Sequence, residues 1–134
     1  LMRALSKPGA KAPWTCSAVG KICLAFSKPS TVSQIINQVG FTQFTRKSIM
    51  DEASFSRQIA KAKQIAYAID DEENSEGLRC IASPIFDANS VVIGALSVSG
   101  PSVRIEEHKL PNFGRVTLRT AKELTRALGG TWPS

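Results

Sequence analysis

Hydrophobic residues in the first quarter of the chain recur at spacings of three and four, starting at Ala18. This period predicts an amphipathic α-helix. Thr15 or Ser17 is placed to cap its N-terminus, and Pro29 ends it because proline cannot continue a helix. The predicted apolar face consists of Ala18, Val19, Ile22, Cys23 and Phe26.

Two further helices follow by the same criterion. The first is predicted over residues 31–39 and ends at Gly40, a residue favoured after helix C-termini. The second begins near Asp51 and Glu52, whose charges suit the positive end of a helix dipole. Its apolar face consists of Phe55, Ile59, Ala62 and Ile65.

The closing segment, residues 105–130, is predicted to be a fourth amphipathic helix that ends at Gly129 and Gly130. Its predicted inner stripe consists of Leu110, Phe113, Thr117, Ala121, Leu124 and Leu128.

Strands are predicted between the third and fourth helices. The segment "AYAI" (66–69) leads into an acidic loop that Gly77 ends, and "LRCIASPIF" (78–86) and "VVIGALSVS" (91–99) are apolar strands joined by "DANS". Pro84 predicts a bulge or a sheet edge. Near the N-terminus, residues 2–5 resemble the end of another strand and residues 6–13 a turn. Together these elements predict an α+β fold, a sheet with helices on its faces.

The totals fit one domain with a hydrophobic core, since the chain has 134 residues and 43% hydrophobic content. A net charge of +6 is compatible with a polyanionic partner such as nucleic acid. The basic residues are scattered singly, however, as on solvated helix faces. Direct nucleic-acid binding by these residues is therefore not favoured.

Cysteine usage and hydropathy indicate the compartment. Cys16, Cys23 and Cys80 are odd in number and lack paired spacing, which argues against a disulfide framework or a zinc site. No run of about 18 apolar residues and no signal peptide stands out in the sequence. We expect a soluble, cytoplasmic protein.

The predicted hairpin carries candidate binding groups. Because side chains alternate faces along a strand, Ser97 and Ser99 share one face of its second strand, and Cys80 lies on the first. This pattern fits either the polar floor of a pocket or a polar row that faces solvent. Burial distinguishes the two.

The acidic run at residues 70–76 contains five of the eleven acids and has three interpretations. It is a solvated loop, a site for a hard cation, or a loop whose first member turns inward from the end of its strand. The spacing lacks the alternating ligands of a calcium loop, which disfavours metal. Asp70 is the candidate for the inward carboxylate.

The first helix offers unpaired backbone N–H groups at its N-terminus, where anions bind, and the small residues of "TCSAVGK" (15–21) let a ligand approach. Catalysis has little support. His108 is expected at the surface, Cys80 has no obvious base, and no nucleophile elbow, P-loop or dinucleotide fingerprint is present.

Three stretches carry a family resemblance: "PWTCSAVGKICLAF" (13–26), "AYAIDDEENSEGLRCIASPIFD" (66–87) and "VVIGALSVSGPSVRI" (91–105). In this order and spacing they resemble the C-terminal effector-binding domain of IclR-type bacterial transcription regulators, and the resemblance covers residues 3–129. It implies a GAF-like fold, a central antiparallel sheet with helices packed on it. It also implies that the domain binds a small organic acid and signals to an N-terminal winged helix-turn-helix.

The resemblance also implies the ligand-binding residues: backbone amides at the start of the first helix, the aspartate before the acidic loop, the cysteine and the two serines. In this sequence they are Ala18, Val19, Asp70, Cys80, Ser97 and Ser99. Because Asp70 repels a carboxylate, we expect it to accept a hydrogen bond from a hydroxyl or gem-diol. This favours a keto, hydroxy or sugar acid, and no cofactor or metal is implied.

The sequence departs from the family pattern at its N-terminal side. The winged helix-turn-helix and the early part of the effector domain are missing from it, so we expect residues 1–134 to be a fragment of an effector-binding domain whose sheet is incomplete there. A homo-oligomer, dimer or tetramer, is expected, with DNA contacted only through the missing domain and no membrane partner. Two alternatives stay open: an enzyme of small-molecule metabolism that uses Cys80, and a protein-interaction module.

Overall fold

The computed structural model describes residues 12–134. The elements in chain order are α1 (Ala18–Ala25), α2 (Pro29–Val39), α3 (Glu52–Ile65), β1 (Ala68–Asp71), β2 (Leu78–Phe86), β3 (Val92–Pro101), a 3-10 turn (Glu107–Lys109) and α4 (Leu110–Ala127). Within these residues the strands form one antiparallel sheet in the order β1-β2-β3. The predicted α+β fold class is therefore confirmed. The strand predicted over residues 2–5 and most of the turn predicted over 6–13 lie outside the described residues.

The sheet separates two layers of helix. On one face α1 packs against β1 and β2 through small residues, with Ala18 and Ile22 next to Ala68 and Ala82. On the other face Ile81 packs with Leu110 at the start of α4. A third cluster, Leu24, Ile36, Ile49 and Phe55, holds α1, α2 and α3 together.

Two contacts fix the direction of α1 across the sheet. Near its N-terminus Lys21 Nζ lies 2.8 Å from Glu73 Oε1, just after β1. At its C-terminal end the ring centroid of Phe26 lies 5.2 Å from that of Phe86, at the end of β2. The N-terminus of α1 therefore lies at the end of the sheet where β1 finishes and β2 begins.

Local chemistry explains where α1 and α2 begin. The Ser17 hydroxyl caps α1 by accepting from the Gly20 N–H at 2.9 Å. The second helix starts at Pro29, two residues before the prediction, because proline suits the first turn, where no N–H is needed.

The α4 prediction needs two corrections. The helix begins at Leu110, not Ile105, and its buried residues are Leu110, Gly114, Thr117, Ala121 and Thr125. Leu128, predicted in the inner stripe, is 63% exposed because it is the C-cap and no longer follows the helical period. Gly129 takes φ of 80°, and Gly130 N–H donates to Thr125 O at 2.8 Å, which closes the helix in a Schellman motif.

The sequence predicts a bulge or a sheet edge at Pro84, and the structure has both features close to it. Strand β1 pairs only with residues 79–82 of β2, so Pro84 has β3 alone as a neighbouring strand among the described residues. The β2–β3 register shifts next to it, between Ile85 and Phe86. Both features are tolerant of a missing N–H.

None of the helices within residues 12–134 combines the length and apolarity that crossing a bilayer requires. All three cysteines are free thiols.

Candidate functional site

The strand register gathers three of the predicted site residues into one row. Asp70 of β1 is opposite Cys80 of β2, and Cys80 is opposite Ser99 of β3, so the three side chains share one face of the sheet. The Ser99 hydroxyl donates to Cys80 Sγ at 3.1 Å. Ser97 lies in the adjacent row, opposite Ala82. This face is the one that α1 covers.

Burial falls steadily across the row. Asp70 is 2% exposed, Cys80 is half-buried, and Ser97 and Ser99 are exposed. Asp70 does turn inward, as one interpretation of the acidic run required. The serines face solvent among the described residues, so the row is a buried floor at β1 and an open one at β3.

The N-terminus of α1 supplies the backbone donors. The Ser17 hydroxyl accepts from the Gly20 N–H. The Lys21 N–H makes the first backbone hydrogen bond of the helix by donating to Ser17 O. Ala18 and Val19 are the first two residues of the helix, and their N–H groups have no acceptor among residues 12–134. Such groups favour an anion.

The environment of Asp70 brings the pKa of its carboxyl toward neutral pH. Burial raises the pKa of Asp70 to about 6, and the charge of Glu73 adds to this increase. The Glu73 N–H, which donates to Asp70 Oδ1 at 2.8 Å, and the charge of Lys21 work in the opposite direction. Asp70 therefore gains or loses its charge close to physiological pH, as residues at functional sites often do.

The Cys80 thiol is not an activated nucleophile. Burial raises its pKa, the hydrogen bond from Ser99 lowers it in part, and the charge of Asp70 raises it further. A thiol with a raised pKa is protonated at neutral pH and weakly nucleophilic. This chemistry suits packing and weak hydrogen bonding, not covalent catalysis.

The remaining acids of the loop are mostly paired, which corrects the interpretation of a solvated run. Arg79 Nε donates to Asp71 Oδ1 at 2.7 Å; burial alone would raise the pKa of Asp71, but Arg79 brings it below its usual value. The Gly77 N–H donates to Glu72 Oε1 at 2.8 Å and lowers the pKa of that carboxyl. Only Glu76 is an exposed acid in this run.

A buried ion pair between Lys21 and Glu73 was not predicted from the sequence. Lys21 is 1% exposed, and its Nζ donates to Glu73 Oε1 at 2.8 Å and Oε2 at 2.9 Å. Lys21 is one of the singly scattered basic residues that the charge pattern places on solvated helix faces, and for Lys21 this expectation is wrong. Its position on α1, at the spacing that turns it toward the buried side with Ala18 and Ala25, was the available indication.

A separate cavity of about 470 Å³ lies at the outer edge of β1, between α3 and the start of α4. Lys21, Glu73 and Asp71 line it, together with Ile65 and Leu110, but Asp70, Cys80 and the serines do not. The polar row and this cavity are therefore two different places that meet at the Lys21–Glu73 pair.

Comparison with known proteins identifies the class. The family model described as "Bacterial transcriptional regulator IclR C-terminal" matches residues 1–126. The Escherichia coli transcriptional repressor IclR is 34% identical over 130 residues, which are 97% of this chain and 47% of that protein. The C-terminal domain of the E. coli regulator KdgR superposes with a TM-score of 0.82 at 32% identity, covering 90% of this chain and 74% of that one.

A third likeness is to the inducer-binding domain of the Acinetobacter transcription factor PobR, a double mutant in complex with 3-hydroxybenzoic acid. It has a TM-score of 0.80 and 27% identity, over 87% of this chain and 67% of that chain.

The chain belongs to the IclR family, a family of bacterial transcription regulators and not of enzymes. It corresponds to the C-terminal domain of those regulators and spans about half the length of the curated relatives it matches. The enzyme alternative built on Cys80 is thereby set aside.

Proposed function

We propose that residues 1–134 are an effector-binding domain that holds a small keto, hydroxy or sugar acid between the N-terminus of α1 and the row Asp70–Cys80–Ser99. The observation that carries this proposal is the juxtaposition itself. Two helix amides that have no acceptor among residues 12–134, at Ala18 and Val19, lie at the end of the sheet where that row crosses β1, β2 and β3.

The two ends of the site differ in charge, which defines the ligand class. The helix amides attract a carboxylate, whereas an ionised Asp70 repels one and accepts from a hydroxyl. Ser97 and Ser99 add hydroxyls that donate or accept. A molecule with an acid at one end and a hydroxyl or hydrated carbonyl at the other satisfies both ends. The hydroxy acid in the related PobR domain is in keeping with this class.

In the regulator that carries this domain, such binding would change the affinity for operator DNA. A ligand does so only if it binds two arrangements of the protein with different affinities. We propose that the arrangement of a homo-oligomer, dimer or tetramer, is what the ligand biases, with DNA contacted by a winged helix-turn-helix in another part of the regulator.

The test compares acids that carry a hydroxyl or carbonyl group with an acid that carries neither. Lactate, pyruvate, gluconate and 3-hydroxybenzoate are titrated against the protein by calorimetry and thermal shift, with propionate as the acid that lacks the second group. A probe at 100 times its dissociation constant should stabilise the fold by about 2.7 kcal/mol. We expect at least one probe to bind more tightly than propionate.

Variants then locate the binding. Asp70→Ala should remove the preference for lactate over propionate, and Ser99→Ala should weaken both. The control is Ser56→Ala, at an exposed serine of α3 outside the site. Equal affinity of wild type and Asp70→Ala for every probe would refute the proposal, as would a failure of all probes to bind.

A further inference from the structure

We propose that the buried Lys21–Glu73 pair is the positioning element of the ligand site, fixing Asp70 relative to the helix amides of α1. This inference rests on the proposed function of that site. The pair connects the two ends directly: Lys21 is the fourth residue of α1, and Glu73 is the third residue after Asp70.

The contacts leave no freedom to the ammonium group. Its three N–H donors are matched by three acceptors, Glu73 Oε1 at 2.8 Å, Glu73 Oε2 at 2.9 Å and Gln58 Oε1 at 2.9 Å. A lysine has three donors and no acceptor, so its hydrogen-bonding capacity is complete. The helix that carries the candidate anion-binding amides is therefore tied to one point of the acidic loop.

Glu73 transmits this constraint to Asp70. Its carboxylate accepts from the Asp71 N–H at 3.0 Å, and its own N–H donates to Asp70 Oδ1 at 2.8 Å. The Ser48 hydroxyl donates to Glu73 O at 2.6 Å from the other side. The side chain of Glu73 thus folds the loop so that its backbone holds the Asp70 carboxylate in place.

A purely structural role explains this pair less well. A cation in the first turns of a helix opposes the helix dipole, and burying two charges carries a desolvation cost that even complete hydrogen bonding only offsets. An apolar pair of similar volume would hold α1 on the loop at least as well. What the charged pair adds is a defined electrostatic setting for Asp70.

Titration of Asp70 separates the two roles without any ligand. Its surroundings contain Glu73 in the loop, Lys21 on α1 and the Cys80 thiol on β2. Removing the cation with Lys21→Met should raise the pKa of Asp70, whereas Glu73→Gln, which removes the anion, should lower it. Mere loosening would hydrate Asp70 and lower its pKa in both variants. Carboxyl ¹³C NMR of the folded protein measures this.

Binding provides the second measurement. The double variant Lys21→Met/Glu73→Gln removes both charges and keeps the volume, so it should fold even if Lys21→Met does not. We expect its affinity for the strongest of lactate, pyruvate, gluconate and 3-hydroxybenzoate to fall about tenfold, as for coupled polar networks, at a melting temperature close to that of wild type. The control is Lys47→Met, which removes an exposed lysine 3.4 Å from Asp71 and Glu72 of the same loop.

The outcomes are distinguishable. If a probe binds wild type and the double variant equally well, the positioning role is refuted while the ligand site stands. If no probe binds wild type, the proposed function fails. A pKa of Asp70 that falls in Lys21→Met overturns the inference in either case.

Discussion

Two buried serines of this domain show how much a single hydroxyl depends on its partners. Ser48 Oγ accepts from the Phe44 and Thr45 N–H groups, both at 2.9 Å, and donates to Glu73 O. Ser83 is completely buried on β2, yet its hydroxyl has no hydrogen-bond partner among the described residues. One hydroxyl organises a loop, and the other is a desolvated polar group.

The two serines should therefore respond oppositely to the same substitution. Ser83→Ala removes an unsatisfied buried hydroxyl, and we expect the free energy of unfolding to rise by about 1 kcal/mol. Ser48→Ala leaves the Phe44 and Thr45 N–H groups without an acceptor and Glu73 O with only the Thr45 hydroxyl at 3.3 Å, and should lower the free energy of unfolding by about 1–3 kcal/mol. Urea denaturation measures both. A loss of stability in Ser83→Ala would show that its hydroxyl has a partner in solution.

Asp70 gives the domain a specific pH dependence. Its pKa rises from 3.8 to about 6 on folding, so between these values the folded state binds more protons than the unfolded state. Stability therefore falls as pH rises through this window, by up to about 3 kcal/mol at 1.36 kcal/mol per pKa unit. Asp70→Asn should remove this slope from the pH profile of unfolding. Superimposable profiles of the two proteins would contradict the assigned pKa.

At the scale of elements, the hydrophobic period predicted the features that depend only on which side chains of an element are buried. The α1 cap at Ser17, the face of α3 and the two hairpin strands follow from period and turn chemistry. The register that unites Asp70, Cys80 and Ser99 does not, because it depends on pairing β1 with β2 across the acidic loop. The burial of Lys21 was not predictable from charge, since its partner Glu73 is distant in sequence.

Gly114 is a second feature of the elements that the sequence does not predict. It lies inside α4, where a residue with a higher helix propensity than glycine would be favoured. Helix α4 packs so closely against the Tyr67 ring, just before β1, that a Cβ on Gly114 would lie 2.4 Å from Tyr67 Cζ. Gly114→Ala gains about 1 kcal/mol of helix propensity but forces the ring to move, which costs about 1–3 kcal/mol.

We therefore expect a net loss of thermal stability in Gly114→Ala. The matched control is Gly94→Ala in β3, where a Cβ would meet nothing within 4 Å. Differential scanning calorimetry of both variants tests the packing. A melting temperature of Gly114→Ala at or above wild type would mean that Tyr67 relaxes freely.

Across the whole molecule, the acidic loop is the junction of the fold. Lys21 ties it to α1, Thr45 Oγ1 donates to Glu72 O at 2.6 Å from the α2–α3 connection, and the Ser102 hydroxyl donates to Glu72 Oε1 at 3.1 Å just beyond β3. The end of the sheet at which we propose the ligand site is thus secured from three directions. The β3 side of the same sheet is different.

Strand β3 has one neighbouring strand among the described residues, and large apolar side chains are exposed along it, including Ile93 at 59% and Val98. An edge of this kind pairs readily with another chain.

We expect residues 1–134 to associate through β3 as the protein concentration rises. Ile93→Lys places a charge on that edge and should weaken association about tenfold or more, as measured by sedimentation equilibrium. Val116→Lys, at an exposed valine of α4, should leave association unchanged. Because both variants add the same charge, an equal effect of the two would assign the association to net charge and not to the strand edge, and a monomer at all concentrations would show that the edge is already covered.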